Sequence, residues 1–257
     1  MKTRKDNVSL WLIKLFLTIV LIAAVISIAY KAFLLVQNRS FKFSTYNIMI
    51  IGKNADVLGF NTRTQDIQIL EYKDAREDFM RLNTLTASIK SGAPLDGMII
   101  SVIPKNFQVE DKFPTLGQTI SFLFEDEKYV FHNVNKFDLA KLYLVSLLTD
   151  WERQKAETPQ GKFYDTDIFN EKTSIEIVNS TKINGLGARV SAVLSNMGAN
   201  VISLKDGEET KTQIFAKDKD KKTLRRIEGI FELAAQKSEN PEIADIIINL
   251  GKDRKWE

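Results

Sequence analysis

The longest apolar stretch in the chain lies near its start. Leu15 to Tyr30 (LFLTIVLIAAVISIAY) is sixteen residues without a charge, and Trp11 to Ile13 and Ala32 to Val36 extend it on both sides. A helix over residues 10–36 would rise about 40 Å at about 1.5 Å per residue, against a hydrocarbon core of about 30 Å. Lys14 and Lys31 are long enough to snorkel from it. The pattern predicts a transmembrane helix over residues 10–36 behind a basic tail of residues 1–9. Lys2, Arg4, Lys5 and Lys14 orient it with the N-terminus cytoplasmic and the bulk of the chain extracytoplasmic. Ser27-Ile28-Ala29 also suits a signal-peptide cleavage site, against which the apolar continuation argues.

From residue 43 to residue 150 the periodicity switches between 2 and 3.6. Tyr46 to Gly52 is a β-rich apolar run, and Asp66 to Tyr72 alternates through Ile67 and Ile69, so both read as strands with a polar stretch between them. Asp74 to Lys90 has Ala75, Phe79, Leu82, Leu85 and Ile89 at helical spacing, closed by Ser91-Gly92. Met98 to Ile103 is strand-length and stopped by Pro104. Thr115 to Phe124 and Lys136 to Leu148 read as helices. Residues 151–172 then lose periodicity: Arg153 to Asn170 is polar, holds Pro159 and Gly161, and reads as a linker.

Beyond it the signal sharpens. Ser174 to Val178 alternates as a half-buried strand, and a turn at Asn184-Gly185-Leu186-Gly187 opens a helix through Met197. The buried stripe of that helix is Leu186, Val190, Val193, Leu194 and Met197, with Gly198 as the stop. Asn200 to Leu204, Gln213 to Ala216 and Ala244 to Leu250 read as strands, and Leu224 to Ala235 as a helix. The order over 173–254 is β-α-β-β-α-β, which predicts a split βαβ arrangement. The fold class expected for the chain is α/β (α+β) behind its anchor.

Composition adds two exclusions. Cysteine is absent, which removes disulfides, thiolate catalysis and Cys-ligated metal. The net charge is +3, but Lys2, Arg4, Lys5, Lys14 and Lys31 against Asp6 put the basic excess at the membrane flank. The remainder is close to neutral, which argues against a nucleic-acid partner. His132, the single histidine, leaves no His-ligated metal cluster or Ser-His-Asp arrangement.

Two resemblances follow from the quoted residues. Ile175-Glu176-Ile177-Val178-Asn179-Ser180-Thr181, Gly185-Leu186-Gly187-Ala188-Arg189-Val190, Gly198-Ala199-Asn200-Val201 and Ala244 to Asp253 resemble the LytR C-terminal domain, an extracytoplasmic module of bacterial envelope proteins, over about 174–254. Asn47-Ile48-Met49-Ile50-Ile51-Gly52 and Leu95-Asp96-Gly97-Met98-Ile99-Ile100 resemble the LytR-CpsA-Psr family. That resemblance implies transferases that move lipid-pyrophosphate-linked glycopolymers onto peptidoglycan, with Arg on the pyrophosphate and Asp on Mg²⁺. Here the Arg-rich and Pro-Arg-Asp elements of the family are missing, and Arg63 and Asp66 are spaced Arg-x-x-Asp. Residues 43–150 therefore read as a degenerate, non-catalytic relative.

The candidate ligand-binding residues are Asn184, Gly185 and Gly187, flanked by Lys182 and Arg189, with Arg63 and Asp66 as a remnant phosphate or metal contact. Backbone N–H groups at the strand-to-helix turn could hold an anion; a turn with close helix packing is the plainer reading of the same glycines. No metal and no cofactor is expected. The chain reads as a single-pass cell-membrane protein, not an enzyme, whose partners are the membrane and a cell-wall polymer or another envelope protein. The alternative is a Mg²⁺-dependent glycopolymer transferase working through Arg63 and Asp66.

Overall fold

The computed structural model describes residues 11–23, 25–27, 43–102, 126–238 and 244–256. The chain divides into two compact units, Met1–Ser40 and Phe41–Glu257. In the first unit residues 11–23 and 25–27 are helical, and no helix among the described residues is long and apolar enough to cross a membrane. The expected span over 10–36 runs into residues outside the described ones, as does the helix expected over Thr115 to Phe124.

The second unit contains two sheets. In the first, β1 (Thr45–Ile51), β2 (Ala55–Asn61) and β3 (Asp66–Tyr72) form an antiparallel meander, with Ile48 opposite Leu58 and Val57 opposite Leu70. Next come α1 (Arg76–Phe79), α2 (Thr84–Ser91) and β4 (Gly97–Ser101), which runs parallel to β1. Then β5 (Tyr129–His132) pairs antiparallel with β4, α3 (Lys136–Leu148) follows, and β6 (Glu152–Ala156) pairs parallel with β3. The strand order is β5-β4-β1-β2-β3-β6.

One helix was expected over 74–90, and two short ones are found. Asn83 interrupts the run because its side chain accepts the Thr86 N–H and starts α2 as an N-cap. Gly92, at φ 71°, closes α2 in the left-handed region.

Both faces of the first sheet are covered. Met49, Ile51, Val57 and Leu70 pack with Ala87, Leu95 and Phe163 in one core. On the other face Leu58 and Phe60 are buried, and the Phe60 ring lies 5.6 Å from that of Tyr143 on α3.

Asp56 sits on the same strand face as Leu58 and Phe60 and is buried. Its cross-strand partner is Glu71. Burial, and then the Glu71 charge, push the Asp56 carboxyl up to about 7. The folded chain thus keeps a proton that the unfolded chain releases near 3.8, so stability falls as pH rises from about 4 to about 7. Asp56→Asn is expected to flatten that slope and to raise stability at pH 8 by about 2 kcal/mol, roughly half of what the full shift would supply. Urea unfolding at pH 5 and pH 8 measures both.

The stretch expected as a linker is ordered. Besides β6 it holds Phe163, fully buried against Gly59, where a side chain would collide with the ring. It ends in α4 (Thr166–Glu171), capped by Asp165, whose carboxylate accepts the Asp167 and Ile168 N–H groups.

The second sheet comprises β7 (Ser174–Asn179), α5 (Leu186–Asn196), β8 (Asn200–Asp206), β9 (Gln213–Ala216), α6 (Lys222–Phe231), β10 (Gln236–Lys237) and β11 (Ile246–Leu250). Its strand order is β10-β9-β11-β7-β8. This corrects the expected split βαβ: β7 and β8 are direct parallel neighbours, so β7-α5-β8 is an unsplit unit. The final strand β11 instead inserts between β7 and β9, parallel to the first and antiparallel to the second. On the edge strand β8 a bulge leaves Ile202 without a partner, because Ile175 pairs with Val201 while Glu176 pairs with Ser203.

The two sheets share a core. Leu85 and Ile89 of α2 belong to the cluster of Val190, Leu194, Leu224 and Ile227, and the Asn196 side chain donates to the Gly92 carbonyl at 2.7 Å.

Candidate functional site

The turn between β7 and α5 is built by Asn179. Its Oδ1 accepts from the Thr181 N–H at 3.2 Å and hydroxyl at 2.6 Å, while its Nδ2 donates to the Ile183 carbonyl at 3.2 Å. The chain then needs a left-handed residue to enter the helix, and Gly185, at φ 73°, supplies it. At Gly187 a Cβ would lie 3.5 Å from the Asn179 Cβ, an ordinary contact distance, so helix and strand lie side by side here without the glycine being required.

This construction leaves a groove of about 180 Å³ lined by Ile177, Asn179, Gly185, Gly187, Ala188, Leu204, Lys205 and Asp206. Its walls are mixed: an apolar floor at Ile177, Leu204 51 % exposed on the edge strand, and opposite charges at Lys205 and Asp206. Lys205 Nζ is held 2.7 Å from the buried Glu176 carboxylate. The first-turn N–H groups of α5 have no acceptor within their own helix, and Gly187 and Ala188 of that turn both line the groove. The volume is below the range of about 300–1,000 Å³ usual for a small-molecule pocket.

Of the residues singled out from sequence, Gly185 and Gly187 line this groove. Lys182, Asn184 and Arg189 stand exposed on the adjoining turn and helix. Arg63 and Asp66 are engaged with different partners. Arg63 pairs with Asp167, which also binds Lys222 Nζ at 2.7 Å. Asp66 accepts from the Thr64 hydroxyl at 2.5 Å and from Gln68 Nε2 at 3.3 Å. Among the described residues no three His, Cys, Asp or Glu side chains gather as metal ligands.

A second polar constellation escaped the sequence reading. Arg226 on α6 is fully buried: Nη2 donates to Asp96 Oδ2 at 2.7 Å, and Nη1 donates to Thr45 Oγ1 at 2.7 Å and to Asp165 Oδ2 at 3.1 Å. Phe43 lies against the guanidinium, 5.3 Å from ring centre to Cζ. The Ser44 hydroxyl donates to Asp165 Oδ1 at 2.6 Å, and the Asn47 N–H to Asp96 Oδ2 at 2.7 Å.

Burial raises the Asp96 carboxyl, an effect only partly offset by Arg226 and the Asn47 amide. Burial also acts on Asp165, but the Arg226 charge, the Ser44 hydroxyl and the helix-capping amides outweigh it and leave that carboxyl lowered. Tyr46 beside them is pushed up by burial and then by the Asp96 and Asp138 charges. The only advance signal was an arginine inside the apolar stripe of a helix, between Leu224 and Ile227. With each Arg226 Nη bonded to a carboxylate from outside α6, the cluster acts as an internal fastening.

Residues 172–253 match the LytR C-terminal family. The family is described as LytR cell envelope-related transcriptional attenuator. The groove and Arg226 both lie within the LytR C-terminal region, whereas Asp96, Asp165 and the first sheet lie outside it. The match does not extend to residues 43–150, so the LytR-CpsA-Psr resemblance rests on the residues quoted for it. No curated protein and no solved structure matches the chain.

Proposed function

We propose that the chain is a membrane-anchored, extracytoplasmic envelope protein that binds one unit of a cell-wall polymer, or a segment of another envelope protein, in the groove between β8 and α5, without catalysis. The observation that carries this reading is the coincidence of that groove with the region matching a cell envelope-related family. The small mixed volume favours a repeating polymer, from which single sugar or amino-acid units can be taken one at a time. The anchor is supported by the N-terminal helix, on which Trp11, Leu12, Ile13, Leu15, Phe16 and Leu17 are all 42–65 % exposed. Apolar side chains on every face of a helix suit lipid. The basic tail supports a cytoplasmic N-terminus. The transferase alternative is disfavoured because Arg63, which would have to meet the charge of the leaving group, is paired among the described residues with Asp167.

The test is co-sedimentation of the detergent-solubilised full chain with purified wall sacculi, with and without their attached anionic polymers, beside Ala188→Trp, which fills the groove from an exposed lining position. Wild type is expected to pellet with sacculi, and Ala188→Trp to bind at least tenfold more weakly. Equal retention of the two proteins rules out the groove. Failure of the wild type to bind sacculi or to pull down any envelope protein rules out the reading as a whole.

A further inference from the structure

We infer that the LytR C-terminal region of this chain is not a separable module: it opens and closes together with the first sheet as one cooperative body, and the buried guanidinium of Arg226 is the interlock. The two carboxylates that pair with the Arg226 Nη groups come from the loop before β4 (Asp96) and from the cap of α4 (Asp165), both outside the matched region. A chain cut near residue 172 would leave an arginine in an apolar helix face on one side and two carboxylates on the other. While the two halves stay packed, losing either partner leaves a charge alone in the interior, which costs far more than the pair contributes, so the contact holds only as a whole.

Three further contacts cross the same boundary. The start of α6 is capped from α4: the Glu171 carboxylate accepts the Lys222 N–H at 2.8 Å, the Thr223 N–H at 2.9 Å and the Thr223 hydroxyl at 2.7 Å. The apolar face of α2 is buried with α5 and α6 in the core of the second sheet. The Asn133 amide, after β5, donates to Glu232 at 2.6 Å, and Glu232 is the C-cap of α6. Helix α6 is therefore fastened at its start, its middle and its end by groups from the other half. Any opening that frees α6 must break into the first sheet.

Native-state hydrogen exchange of the full chain in detergent, read by mass spectrometry on peptides from both sheets at rising urea, tests this. The slowest amides of β1 and β4 are expected to follow the same urea dependence as those of β7 and β11. Arg226→Met should speed exchange at least tenfold in both sets. If Arg226→Met does not fold, Asn196→Ala, which loses only the bond to Gly92, should still speed both sets by equal factors. Loss of protection confined to β7–β11, or separate urea dependences for the two sheets in the wild type, would overturn the interlock.

Discussion

Arg226→Met is expected to lower the free energy of unfolding by about 3–5 kcal/mol, the cost of stranding buried charge when one partner of an internal pair is removed. For a chain of this size that corresponds to a fall in Tm of about 10 °C. Met matches the aliphatic stem of Arg and can pack against Phe43, so the loss reports on charge more than on volume. Adding Asp96→Asn and Asp165→Asn to Arg226→Met should restore part of the loss, because the stranded groups are then neutral. Arg226→Lys should not rescue, since a single ammonium cannot reach Asp96, Asp165 and Thr45 in the geometry of the planar fork.

The pH dependence has a definite sign. Asp165, lowered in the folded state, contributes stability that is present above its unfolded value and lost as pH falls through the folded one. Asp96, raised in the folded state, contributes in the opposite sense, and stability falls as pH climbs from its unfolded value through its folded value. In the Arg226→Met protein both carboxylates are costly only when ionised. The gap between variant and wild type should therefore narrow below about pH 4, as calorimetry at pH 3.5 and pH 7 would register.

Gly251→Ala is expected to cost about 3 kcal/mol, at the upper end of what overpacking a tight interior does. A methyl group there would overlap the backbone of Lys211 and Thr212, which has no room to retreat. Thr212 is fixed from both sides: its N–H donates to Asp253 Oδ1 at 2.8 Å, and its hydroxyl to the same atom at 2.7 Å. The Gly251 N–H donates to that hydroxyl at 3.1 Å, and its carbonyl accepts the Trp256 indole N–H at 2.8 Å. Displacing one strand by the width of a methyl therefore breaks several bonds at once. Thermal unfolding followed by the fluorescence of Trp256, which is buried in this latch, should show the loss.

What could be read from the chain depended on how each segment is covered. Strand β9 was legible because its pattern alternates and is one-sided, β7 because Ile175 and Ile177 alternate with polar residues, and α3 because Leu139, Leu142 and Val145 fall at helical spacing. Strand β2 was passed over as polar: Asp56, Gly59 and Asn61 break its pattern, yet six of its seven residues are buried since both sheet faces are covered there. Strand β6 (ERQKA) was taken for linker because an edge strand needs little apolar content. The split topology was a fair inference from element order, which does not reveal that β11 returns between β7 and β9.

The candidate site divides the same way. The turn at Gly185 and Gly187 was legible because a turn into a helix announces itself locally. Arg226 was missed because its partners lie 61 and 130 positions away.

A row of unpaired amides and carbonyls along the rim of a sheet is a template onto which an identical rim can zip. The extra residue at Ile202 puts that rim out of step with itself. Ile202 and Leu204 stand half-exposed on β8, and a rim interrupted in this way pairs less readily with a second copy of itself.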